Sequence, residues 1–85
     1  MKLWLSDEYA VERDHIVGIF DMDTATVSHP TREMLKKAEK EKNLTVTTGE
    51  IPVSFVVSEE KGNIKVFFTR NASRVLCRRA ERRGI

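Results

Sequence analysis

His15-Ile16-Val17-Gly18-Ile19-Phe20-Asp21 is the most apolar run in a chain of 85 residues. Four of the five residues between its polar ends are β-branched or aromatic, and no polar residue alternates with them. That pattern predicts a strand covered on both faces, because a half-exposed strand would interleave polar side chains at every second position. A domain of this length has little interior to give such a strand. One face is therefore expected to pack on the domain's own helices and the other on a second subunit, which makes Ile16, Gly18, Ile19 and Phe20 candidate interface residues. Gly18 weakens the strand, so it predicts a bulge or a close approach by another backbone or a large side chain.

Upstream of this run, Lys2 to Leu5 alternates as a short strand, Asp7-Glu8 reads as a turn, and a second short strand follows around Tyr9 to Val11. Downstream, Asp21 to Val27 reads as a polar loop. Ser28 is a good N-cap and Pro30 is tolerated in a first turn, so a helix is predicted from His29 to about Lys42. Its apolar stripe is narrow, Met34, Leu35 and Ala38, and Glu33 faces Lys37 at i,i+4 spacing. Leu44 to Thr48 is strand-like, and Gly49-Glu50 turns the chain. Ile51, Val53, Phe55 and Val57 then alternate with Pro52, Ser54 and Ser58, which predicts one inward face, with Pro52 at the start of a strand or on an edge. Residues 58–63 read as a hairpin loop and Ile64 to Thr69 as the returning strand. Asn71 is placed to cap a last helix from Ala72 to about Arg83, which Gly84 would end. The order is βββαβββα, the pattern of a single small α+β domain over residues 1–85.

Composition agrees with a folded domain, at 40% hydrophobic and 33% charged residues. The three apolar residues Leu3, Trp4 and Leu5 precede Ser6-Asp7-Glu8, too short a run for a signal-peptide core, and no stretch approaches a membrane span, so a cytoplasmic location without membrane contact is expected. The single Cys77 has no partner for a disulfide or a metal pair, and reads as a reduced, mildly buried thiol. The net charge of +2 is unevenly spread. Residues 1–69 carry nine bases and twelve acids, whereas residues 70–85 carry six arginines and one glutamate.

Several candidate chemistries weigh lightly. Ile19-Phe20-Asp21-Met22-Asp23 resembles the first motif of haloacid-dehalogenase-like phosphatases, in which Asp21 would attack phosphorus and hold magnesium while Asp23 served as acid/base. That family needs a parallel sheet with crossover helices, its usual glycine after the second aspartate is Thr24 here, and no later Asp-Asp pair completes a metal site. Two aspartates in a loop after a strand is the better reading. Asp14 and His15 would point to opposite faces of a strand, and His15 and His29 have no ligand partners at recognisable spacing. Lys36, Lys37, Lys40 and Lys42 interleave with Glu39 and Glu41 as a solvated face. No catalytic residue, metal, cofactor or small-molecule substrate is expected.

The terminal helix carries the stronger signal. Ala72, Val75, Leu76 and Ala80 form one apolar stripe, while Arg74 and Arg78 stack on the opposite side beside Glu81, with Arg70 just ahead of the cap. Forks one helical turn apart suit the phosphates of a duplex, or equally an acidic patch on a neighbouring subunit. Arg79 and Arg83 fall near the stripe, a placement that favours an intersubunit role.

Tyr9-Ala10-Val11, the run Asp14 to Asp21, Leu35-Lys36-Lys37 in a helix and Ser54-Phe55-Val56-Val57 in a strand together resemble the extracellular matrix regulator family, in its B-type (RemB-like) branch. The similarity spans nearly the whole chain, and Ile16 to Asp21 is its distinctive part. The family's A-type branch implies a transcriptional regulator of biofilm matrix genes, binding double-stranded DNA through arginines repeated around a ring-shaped homo-oligomer. The A-type pattern has a Gly-Arg-Arg turn where this chain has Gly49-Glu50-Ile51, and an arginine just before the central strand where this chain has His15, with Arg13 two residues earlier. The resemblance thus implies a non-catalytic, homo-oligomeric regulator with Arg13, Arg70, Arg74 and Arg78 as candidate DNA contacts. The rival readings are a purely structural or protein-binding oligomer and, further behind, a magnesium phosphotransferase.

Overall fold

The computed structural model describes residues 1–25 and 27–81. Strands β1 (Lys2–Trp4) and β2 (Ala10–Glu12) pair antiparallel as a hairpin of their own. Ser6 shapes its turn, its hydroxyl oxygen accepting from the backbone N–H groups of Glu8 and Tyr9. A 3₁₀ turn (Arg13–His15) leads into β3 (Ile16–Asp21), then α1 (Met22–Ala25), α2 (His29–Lys40), β4 (Leu44–Val46), β5 (Ser54–Glu60), β6 (Asn63–Thr69) and α3 (Ser73–Glu81). The fold is α+β, as the order of apolar patterns predicts.

The main sheet has the order β3-β5-β6-β4. β3, β5 and β6 pair antiparallel, while β4 joins β6 in parallel, so pairing is not all by hairpins. Both faces of the sheet are covered. On one, Leu3, Leu5 and Val11 of the hairpin and Leu76 of α3 close over Val56, with Ile16, Ile19, Phe67 and Ala80 around them. On the other, Ala38 of α2 lies against Phe55, Val57 and Val66, flanked by Met22, Met34, Leu35, Leu44 and Phe68.

Within the single chain, the strand buried on both faces is β5; the His15–Asp21 run has one side packed on the core, through Ile16 and Ile19, and the other open. Ser54, Phe55, Val56, Val57 and Ser58 are all buried, whereas β3 is an outer strand whose Val17 is 64% and Phe20 39% exposed. The alternation read in 51–58 treats serine as a solvent-facing residue. Here both hydroxyls lie inside, and that of Ser54 donates to the Asn71 carbonyl. A serine whose hydroxyl finds such an acceptor can be buried without the usual desolvation loss. Ile51, expected to face inward, lies before the strand and is 81% exposed.

Gly18 does what its position predicts. The register slips between Ile16, opposite Ser58, and Gly18, opposite Val57, leaving Val17 as the extra residue of a bulge. The Phe20 ring folds back over Gly18, where an added Cβ would stand 2.5 Å from Phe20 Cζ. The ring also stacks on Phe55 at 5.3 Å, and Phe55 in turn meets Phe68 at 6.1 Å.

Local chemistry explains the remaining boundaries. Residues 21–25 are not wholly loop, because the Asp21 carboxylate accepts the Asp23 N–H at 3.0 Å and starts α1. Ser28 has the extended backbone of an N-cap, but its hydroxyl makes no cap bond. Helix α2 ends at Lys40, two residues earlier than expected, in a Schellman motif: Asn43 N–H donates to the Ala38 carbonyl, Lys42 N–H to that of Glu39, and Lys42 adopts φ 62°. The loop expected over 58–63 shrinks to Lys61-Gly62. Both have positive φ, 53° and 85°, the signature of a two-residue type I′ turn, so β5 runs on to Glu60.

Candidate nucleic-acid interface

Helix α3 is amphipathic, but it begins at Ser73, and Ala72, expected in its apolar stripe, lies before it and is exposed. Leu76 is fully buried, Val75 and Ala80 are half-buried, and Arg74, Cys77, Arg78 and Arg79 are exposed. Cys77 is therefore a surface thiol, not the mildly buried one expected, because it falls beside Arg74 on the outer side of the helix. Arg83 and Gly84 lie outside the described residues, as does the predicted helix end.

Arg74 and Arg78 stand one turn apart on the open face, and Arg79 lies on the flank nearer the sheet. Among the described residues none of these three is in an ion pair. Arg70 is held differently: its Nε is 3.3 Å from Glu50 Oε2 and its Nη1 donates to the Ile51 carbonyl at 2.8 Å. Glu50 and Ile51 of the turn before β5 thus engage Arg70 within the fold. Arg13 sits in the 3₁₀ turn, its backbone N–H donating to the Met1 carbonyl and its Nη1 meeting Met1 Sδ at 2.9 Å. Of the four arginines expected to contact DNA, Arg74 and Arg78 share one surface.

The helix starts from a polar junction that sequence reasoning misses. Asn71 does not spend its side chain on capping α3; its Nδ2 donates to the Leu5 carbonyl at 2.8 Å. Its N–H donates to Thr69 Oγ1 at 3.2 Å, and its own carbonyl accepts from Ser54. Thr69 and Ser54 are fully buried. Leu5 and Asn71 lie 66 positions apart, so no local signal discloses the bond.

The candidate interface residues of β3 divide by side. Ile16 and Ile19 are half-buried against the hairpin and α3, Gly18 is under the Phe20 ring, and Phe20 and Val17 remain open at the sheet edge. Asp21 and Asp23 are exposed and border a surface groove with Ile51, Pro52, Val53 and Arg74. His15 pairs with Glu60 at 3.5 Å and His29 with Glu33 at 3.7 Å. Among the described residues no three His, Cys, Asp or Glu side chains gather as a metal site, and no helix is long and apolar enough to cross a membrane. One carboxyl is perturbed. The Met1 ammonium donates to Glu12 Oε1 at 2.7 Å and holds that group below its ordinary value.

No protein-family model matches the chain, and no curated protein matches it either.

Proposed function

We propose that this chain is a non-catalytic, homo-oligomeric, cytoplasmic regulator of the extracellular matrix regulator (RemB-like) type that associates with double-stranded DNA through the open face of α3. The observation that carries the reading is the pair Arg74 and Arg78, exposed one helical turn apart and without an ion-pair partner among the described residues. Guanidinium forks in that arrangement match phosphates along a duplex.

Assembly is assigned to the outer strand β3. Among the described residues its far edge has no strand beside it, and Val17 and Phe20 expose apolar surface there. The strand carries neither lysine nor proline, and its guards against edge pairing are the bulge at Val17 and Asp21 at its end. The same apolar edge favours the second reading, a protein-binding oligomer without nucleic acid. Duplex retention and native mass, measured together over a salt series, separate the two. Phosphate contacts weaken steeply with salt and apolar assembly does not. Retention that falls with salt while the mass holds supports the first reading; no retention at low salt with an intact oligomer supports the second.

A further inference from the structure

Helix α3 has nine residues, and an isolated helix shorter than ~12 residues is marginal in water. The β1–β2 hairpin has two three-residue strands, makes no backbone pairing with the main sheet, and an isolated hairpin of this kind is at best marginal too. Neither element is stable by itself. They meet over the same patch of the sheet, where Leu3, Leu5 and Val11 from the hairpin and Leu76 from α3 enclose Val56. A polar clasp joins them beside that patch: the Leu5 carbonyl accepts from Asn71 Nδ2 at 2.8 Å and from Thr69 Oγ1 at 3.4 Å, just ahead of the first turn of α3.

We propose that the hairpin and the arginine helix form one cooperative unit clasped by Asn71, so that release of the hairpin melts the helix that presents Arg74 and Arg78. Anything that loosens residues 1–12 then withdraws the basic face. Its regulatory meaning rests on the reading of α3 as the duplex-binding element; the coupling itself does not.

Amide hydrogen exchange on the full chain, without nucleic acid, tests it. The reporters are Leu5 and Ser6 N–H, bonded to the Tyr9 carbonyl, for the hairpin, and Leu76 N–H, bonded to that of Ala72, for α3. Val66 N–H, bonded to the Asn43 carbonyl, reports on the main sheet. Asn71→Ala removes a net hydrogen bond and should speed exchange of both reporter sets by a common factor of about ten, with Val66 unchanged. Val11→Ala, which thins the hairpin's apolar side and touches no clasp atom, should speed Leu76 as much as Leu5. Leu76 staying slow while Leu5 quickens in either variant overturns the coupling, as does equal acceleration of Val66 in Asn71→Ala. Should Val11→Ala fail to fold, Asn71→Ala decides alone. If the duplex is not bound by the native protein, the functional reading falls while the exchange result still judges the clasp.

Discussion

Replacing Gly18 by alanine should destabilise the protein, and removing Phe20 should abolish that penalty. The added Cβ would stand 2.5 and 2.6 Å from two atoms of the Phe20 ring, inside any tolerable carbon–carbon separation. The backbone of β3 is fixed by its ladder to β5, so the ring must move. Turning it off Gly18 sacrifices the stack on Phe55, worth ~0.5–1.5 kcal/mol, and forces χ from its well at a similar cost. Against this stands the gain of replacing glycine in a strand, ~0.5–1 kcal/mol. The net expectation for Gly18→Ala is a loss of about 1 kcal/mol. Phe20→Ala alone loses the ring's packing, reduced because the ring is partly exposed. In the Phe20→Ala background the obstacle is absent, and Gly18→Ala should be neutral or mildly stabilising. Urea unfolding of the four proteins of this double-mutant cycle, with m unchanged, measures the coupling. An equal cost for Gly18→Ala with and without Phe20 would refute the argument, since the penalty would then lie in the bulged backbone.

Lys42→Gly should stabilise by about 1 kcal/mol, because φ 62° at the end of α2 burdens any side chain bearing a Cβ; thermal unfolding should show a higher Tm. Glu12 has its pKa depressed by the Met1 ammonium, so its contribution is present above its ordinary value of 4.5 and disappears as pH falls through the lower folded value. Thermal scans of the native protein and Glu12→Gln should therefore differ near neutrality and converge in acid. Arg74→Ala and Arg78→Ala should each lower the salt slope of duplex binding by about 1 and leave native mass unchanged, whereas Arg70→Ala, already engaged by Glu50, should change the slope less.

The legible parts of the fold are those whose causes are local. Gly18 announces a close approach within its own strand, and the partner is two residues away. The stripe of α3 follows from helical spacing, and Leu76 is buried where it places it. What misleads is a local rule applied to a residue with a distant partner. Ser54 and Ser58 look like the wet side of β5 until Asn71 and the hairpin cover that face. Asn71 looks like a helix cap because its neighbours in sequence are a helix, yet its amide is claimed by Leu5. The apolarity of Ile16 to Phe20 suggests the centre of the sheet. The pairing order places it otherwise: β5 pairs on both sides and β3 on one.

The placement of charge separates the arginines that serve the fold from those that do not. Arg70 is tied to Glu50 and to the Ile51 carbonyl, so it fastens the loop before β5 to the junction before α3. Arg74 and Arg78 make no comparable contact among the described residues. As a like-charged pair at i,i+4 they repel by ~0.2–0.5 kcal/mol, and Arg74 lies in the first turn, where the helix dipole favours acids. Arg78, in the last turn, recovers part of that cost. Leu76 and Ala80 attach the helix to the sheet, so a neutral residue in place of Arg74 should leave it at least as stable.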